Sequence, residues 1–195
     1  MHDLRNAGMP VNDKRKALTD SAQTRVQTAG LNSLSFRTLA SDVGIKSSSV
    51  HYHFPEKADL AQALIDQYAE SFKQQLDAIS AHDEWNLKQK LSAFYDIIDA
   101  VGKSGRVCLC GMLAAELESL SPSNRQALLG FFEHMEQWLT DVLTAHKAEL
   151  TTTMSVDAIA NAMVSGMEGA LLVDRVSGNH NSLAAQRAWA LHGIA

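Results

Sequence analysis

The sequence predicts an all-α protein of about nine helices. Apolar residues recur at spacings of three and four along most of its 195 residues. Period-two alternation is rare, and Val, Ile and Thr do not gather into short runs. Glycine, serine and proline fall where the helical spacing breaks. Apolar residues make up 46 % of the chain, enough for a sizeable core.

The elements follow in order. The start, MHDLRNAGMPVNDKRK, has no apolar h-region, so it is not a secretory signal. Residues 1–12 are expected to be a disordered tail. Leu18, Ala22, Val26 and Ala29 mark a first helix that ends at Gly30. Ser35 is the expected N-cap of a short second helix holding Leu39 and Ala40, and Gly44 breaks it. A third short helix runs from about Ser47 to His53, where Pro55 interrupts the pattern. A long helix follows with Leu60, Leu64, Ile65, Tyr68 and Phe72 on one face. Another spans roughly Trp85 to Val101, and GKSGR breaks it. Residues 107–119 read as a short, nearly apolar helix. In SPSN, Ser121 at the cap and Pro122 at the first turn open a seventh. The last two span about 155–177 and 182–193. No run of about 18 apolar residues stands out, so no membrane span is expected.

Net charge is −5, but it is unevenly spread. Residues 1–57 carry eight Lys/Arg against five acids, and residues 58–195 carry nine against seventeen. A basic N-terminal head on an acidic body is the arrangement of a small polyanion-binding module. Cys108 and Cys110 are too close to staple a fold, which suits a reducing, cytoplasmic setting.

SFRTLASDVGIKSSSVHYHF fits a short helix, a glycine turn and a second short helix into about 20 residues. Ala40 is small where two helices cross, and Leu39, Ile45 and Val50 supply a core between them. This is helix-turn-helix grammar, in which the second helix enters the DNA major groove. Lys46, Ser47, Ser48 and Ser49 crowd the start of that helix, and their cation, hydroxyls and amides suit phosphates and base edges. His51 and His53 first suggest a metal. On a helix, however, positions i and i+2 lie about 200° apart, whereas metal pairs use i, i+3 or i, i+4. No metal or cofactor is therefore expected.

Residues 18–64 resemble the DNA-binding domain of the TetR family of bacterial regulators. The likeness rests on Ala22, Gly30, Arg37, Leu39, Ala40, Gly44, Tyr52, Phe54, Lys57 and Leu60, and most of all on the YHF…K ending. It implies a dimer that binds a pseudo-palindromic double-stranded DNA operator as a repressor relieved by a small-molecule effector. By position, His51, Tyr52 and His53 would face DNA, Lys57 would grip a phosphate, and Arg37 and Thr38 would touch the backbone. The position of His51 is more often tyrosine in the family, Ser48 replaces a common glycine, and the first helix is unusually polar. The domain division implied is a helix-turn-helix head over 13–56 and a ligand-binding and dimerisation body over 57–195.

In the body, RVCLCGMLAAELESL reads as a central buried helix. Cys108 and Cys110 are expected to pack. The alternative is redox or electrophile sensing, with Lys103 and Arg106 lowering a thiol pKa, which resembles some family members. Candidate pocket residues are Phe94, Tyr95, Ile98, Met112, Glu116, Phe131, Met135, Trp138, Met163 and Met167; such stripes are also ordinary core. A dimer face is expected from the small and apolar stripe Ile159, Met163, Gly166, Ala170, Val173 with Trp189, unless that face packs within its own chain. Such a dimer would space two recognition helices about 34–36 Å apart. The rival class is an all-helical metal phosphohydrolase using His82–Asp83. Asp83 as a helix cap explains that pair better, and no catalytic residue is assigned.

Overall fold

The computed structural model describes residues 10–194. Nine α-helices occur among the described residues: α1 Val11–Ala29, α2 Phe36–Val43, α3 Ser47–His53, α4 Lys57–Ser80, α5 Leu87–Lys103, α6 Leu109–Ala115, α7 Pro122–Ala145, α8 Val156–Ser177 and α9 Asn181–His192. Short 3₁₀ turns follow α6 and α7, and one isolated bridge joins Leu150 to Ile194. Because α1 starts at Val11, the last two residues of the expected tail are helical; residues 1–9 lie outside the described residues.

The chain divides into two compact units. The first combines residues up to 68 with 109–128, so α6 groups with the head and not with the body. Its core joins Leu18, Ala22 and Val26 of α1 to Leu39, Val50, Phe54, Leu60 and Leu64, and includes Leu109, Cys110 and Leu113 of α6. Local chemistry sets the short helices. Ser35 Oγ accepts from Thr38 N–H, and Thr38 Oγ1 accepts from Ser35 N–H, a reciprocal capping box. Gly44 takes the left-handed conformation (φ 71°) that stops α2. At α7, Ser121 Oγ accepts from Asn124 N–H at 3.2 Å. The buried Asn124 side chain donates to Ala58 O and to Gln62 Oε1, tying α7 to α4.

The second unit holds residues 69–108 and 129–195. Its centre is aromatic: Phe72 meets Phe94 and Phe131 edge-on, and Phe94 stacks on Trp138 at 5.7 Å. Trp138 Nε1 donates to Ser80 Oγ at 2.8 Å, so the indole N–H is satisfied. Asn86 caps α5 through a box with Gln89, which corrects the expectation that Asp83 does so. His82 instead stacks flat on Trp85 at 3.9 Å and pairs with Glu84.

Lys90 is a buried cation held by three carbonyls at the end of α4: Ile79 and Ser80 at 3.3 Å and His82 at 2.8 Å. An ammonium there satisfies orphan C=O groups and opposes the helix dipole. Lys90→Met is expected to cost about 2–3 kcal/mol, because it strands those carbonyls. Urea denaturation measures it, and an unchanged midpoint would contradict this role.

Helices α8 and α9 form a hairpin around Gly178, which is left-handed at φ 69°. By length and composition alone α8 is apolar enough to cross a membrane, although Asp157, Glu168, Asp174 and Arg175 leave it no run of about 18 apolar residues. In the fold its Ala160, Met163, Val164, Met167 and Leu171 are buried, and α9 packs along it. Asp174 of α8 caps α9: its two oxygens accept from Ser182 N–H at 2.8 Å and Leu183 N–H at 2.9 Å. Burial works against that carboxylate, but the two amides hold it below the usual carboxylate range.

Candidate nucleic-acid interface

Helix α3 is anchored on one side and open on the other. Val50 and the following Phe54 are fully buried, whereas Lys46, Ser47, Ser48, His51 and Tyr52 are exposed, Tyr52 to 75 %. No side chain caps α3, and among the described residues the hydroxyls of Ser47, Ser48 and Ser49 make no hydrogen bond. They are therefore uncommitted donors and acceptors on the outer face.

The histidines differ. His51 packs edge-on against Phe36 of α2 at 4.8 Å, with Nδ1 3.5 Å from Pro55 O. It helps hold α3 on α2 as well as facing outward. His53 meets the Tyr52 ring at 5.3 Å. Burial and the nearby Arg15 and Lys14 lower its pKa, so at neutral pH it presents a neutral imidazole with one donor and one acceptor.

Ion pairing sorts the cations of this unit. Arg25 is engaged by both oxygens of Asp42, which also accepts from Ser21, and Lys16 pairs with Asp20. Arg37, Lys46 and Lys57 have no acidic partner among the described residues. Their charge is available to an outside polyanion. Thr38 is spent largely on the α2 cap, where its hydroxyl donates to Ser35 O at 2.8 Å. Sequence reasoning missed Lys14 and Arg15. The Arg15 guanidinium lies over the Phe54 ring at 5.0 Å, and both cations act on His53. Their only trace in the sequence was the basic run at 14–16.

A family profile described as "Transcriptional regulator LmrA/YxaF-like, C-terminal domain" of the TetR class matches residues 89–188, half of the chain. The chain belongs to the TetR family of transcriptional regulators. It is similar to the transcriptional regulator AcuR of Cereibacter sphaeroides, 28 % identical over 148 residues, covering 73 % of this chain and 68 % of that protein. Among solved structures, a TetR regulator from Legionella pneumophila is 29 % identical with TM-score 0.84, covering 93 % of this chain and 97 % of the other. A TetR-family regulator from Agrobacterium tumefaciens is 25 % identical with TM-score 0.89, covering 95 % and 99 %.

The remaining candidates of this TetR-family chain are redistributed by the structure. Phe94, Tyr95, Ile98, Phe131, Met135, Trp138, Met163 and Met167 are all buried in the second unit. Burial holds the Tyr95 phenol up to about 12, beside Gln186. Met112 and Glu116 fall in the first unit instead. Glu116 does not face the aromatic core: its carboxylate accepts from Asn32 N–H at 2.9 Å in the α1–α2 loop and lies over Gly30. Both thiols are buried, Cys110 in the first unit and Cys108 in the second. Cys108 sits beside Glu168, while Lys103 pairs with Asp99 and Arg106 donates to Ser104.

Of the expected dimer residues, Ile159, Met163 and Ala170 are buried inside their own unit, and the Gln186 amide lies over Gly166. Intramolecular packing explains that stripe. Only Val173 and Trp189 are open, about half exposed each, and Leu172 and Val176 extend the exposed apolar face.

Proposed function

We propose that this chain is a non-enzymatic, cytoplasmic, homodimeric repressor that binds a pseudo-palindromic operator and is released by a small-molecule effector. The observation that carries the reading is the face of α3. Its serines are uncommitted, His51 and Tyr52 are exposed and His53 half-exposed, and Arg37, Lys46 and Lys57 beside it have no acidic partner among the described residues. Phosphate contacts would set register, and α3 would read base edges in the major groove.

Pairing of two chains through Leu172, Val173, Val176 and Trp189 would present two heads to one operator. The effector would enter the aromatic and methionine core around Phe94, Met135, Trp138 and Met163, which methionine can repack to admit. A ligand that prefers the arrangement with misplaced heads shifts the population away from DNA.

Selection of bound duplexes from a random pool tests the reading, with an inverted repeat as the expected result. Recovery of no repeat would overturn it. On the selected site, Lys57→Ala is expected to weaken binding to every sequence about tenfold and to lower the salt slope by about 1. His53→Ala is expected to change the preferred bases at one position per half-site. Equal losses on all sequences for both variants would contradict the division of roles.

A further inference from the structure

The acidic second unit carries a cationic pocket that the DNA reading does not use. It lies where the end of α5, the GKSGR turn, the end of α8 and the start of α9 meet, and its volume is about 230 Å³. Lys103, Arg106, Arg175 and His180 line it. Residues 58–195 hold nine Lys/Arg against seventeen acids, yet three of those nine stand round this one concavity. Lys103 and Arg175 are the last-turn cations of α5 and α8, where the helix dipole favours them, and Arg106 joins them from the turn after α5.

The acids nearby cancel part of this charge and leave Arg106 without a carboxylate among the described residues. Asp174 is the one carboxylate in the lining, and both of its oxygens are taken by the Ser182 and Leu183 amides. Asp99 pairs with Lys103 and offsets that cation. The Arg106 Nε donates to Ser104 Oγ at 2.8 Å, and that hydroxyl in turn donates to Val101 O at 2.6 Å. The guanidinium is thus oriented through Nε, which leaves its Nη donors for another acceptor.

Glycine shapes the opening. A Cβ at Gly102 would lie 3.3 Å from Leu171 Cδ2 and 3.8 Å from His180 Nδ1, so its absence keeps the wall open. Gly105, at φ 73°, turns the chain that brings Arg106 round to the rim.

We propose that this pocket binds a small organic anion through its carboxylate or phosphate group. A guanidinium oriented through one nitrogen suits a two-point grip on either group, and the neighbouring cations supply the field. The volume limits the occupant to a small metabolite or to the anionic end of a larger one. This goes beyond the proposed effector entry into the aromatic core, and binding is read on free protein without DNA.

The experiment is calorimetric titration of the full-length protein with inorganic phosphate and with malonate at constant ionic strength. Sodium chloride and neutral malonamide serve as controls. Saturable binding of phosphate or malonate, with none of malonamide, is expected, and whichever anion binds more tightly identifies the preferred group. Arg106→Gln is expected to weaken that binding about tenfold or more, and Arg106→Lys by less, since the charge stays and the fork is lost. Far-ultraviolet circular dichroism of each variant confirms folding, and Gly102→Ala, which narrows the pocket without touching a charge, gives a second measure expected to weaken binding. Binding no stronger than chloride, or Arg106→Gln and Gly102→Ala both binding like the parent, would overturn the proposal.

Discussion

Gly30→Ala is expected to unfold at a distinctly lower urea concentration than the parent and to bind operator less well. Gly30 has φ 81° and ψ 165°, a backbone region essentially restricted to glycine. Forcing a Cβ into it costs about 1–3 kcal/mol from the backbone alone. That Cβ would also lie 2.1 Å from Glu116 Oε1, a distance no carbon can hold. The glutamate must then swing away, and its bond to Asn32 N–H is lost, worth about 1.5–3 kcal/mol for a charged acceptor. Glu116→Ala separates the two costs. Combined with Gly30→Ala it relieves the overlap and leaves the backbone strain, so the double variant should lose less than the sum of the singles. Strict additivity would mean that the carboxylate does not lie where it is described.

The second expectation concerns pH. Glu168 of α8 has its Oε1 buried without a hydrogen-bond partner among the described residues. Burial first, and the adjacent Cys108 second, push its pKa up from 4.5 to about 10. The folded chain therefore keeps a proton that the unfolded chain gives up above about pH 4.5. Stability is fully present below that pH and is lost as pH rises through the interval up to about 10. The loss is about 1.4 kcal/mol per pH unit over that interval. Glu168→Gln carries no titrating group, so its stability should lack this slope and exceed the parent's by about 4–5 kcal/mol at pH 8. Urea midpoints from pH 6 to 9, at one protein concentration, compare the two chains, and the shared histidines cancel in the difference. Parallel profiles would show that Glu168 is ionised in the folded protein.

What the sequence made legible was local. Ser35, Gly44, Ser121 and Pro122 signal their own caps and turns within three or four residues, and the structure places those helix ends where the signals stand. The reading helix was legible because Val50, Phe54 and the serines sit at fixed spacing on seven or eight residues. Glu116 was not, since its partner Asn32 is 84 positions away and no periodicity marks such a pair. The small stripe on α8 was ambiguous in principle. Ile159, Met163 and Ala170 bury equally well against their own hairpin or another chain, and the pattern is the same for both. Asp83 and Asn86 are both good cap residues three positions apart. Gln89 decides between them by closing the box with Asn86.

The membership of α6 in the first unit bears on how such proteins diversify. Leu109, Cys110 and Leu113 cover the head's interior, and Glu116 fastens its first loop, although all four follow the head by some fifty residues or more. The reading head is therefore not a cassette. A chimaera that swaps only residues 1–57 would strip apolar cover from α1 and lose the fastening of its loop. An exchange of 1–68 together with 109–128 would transplant the whole unit, so the head travels as two stretches of chain.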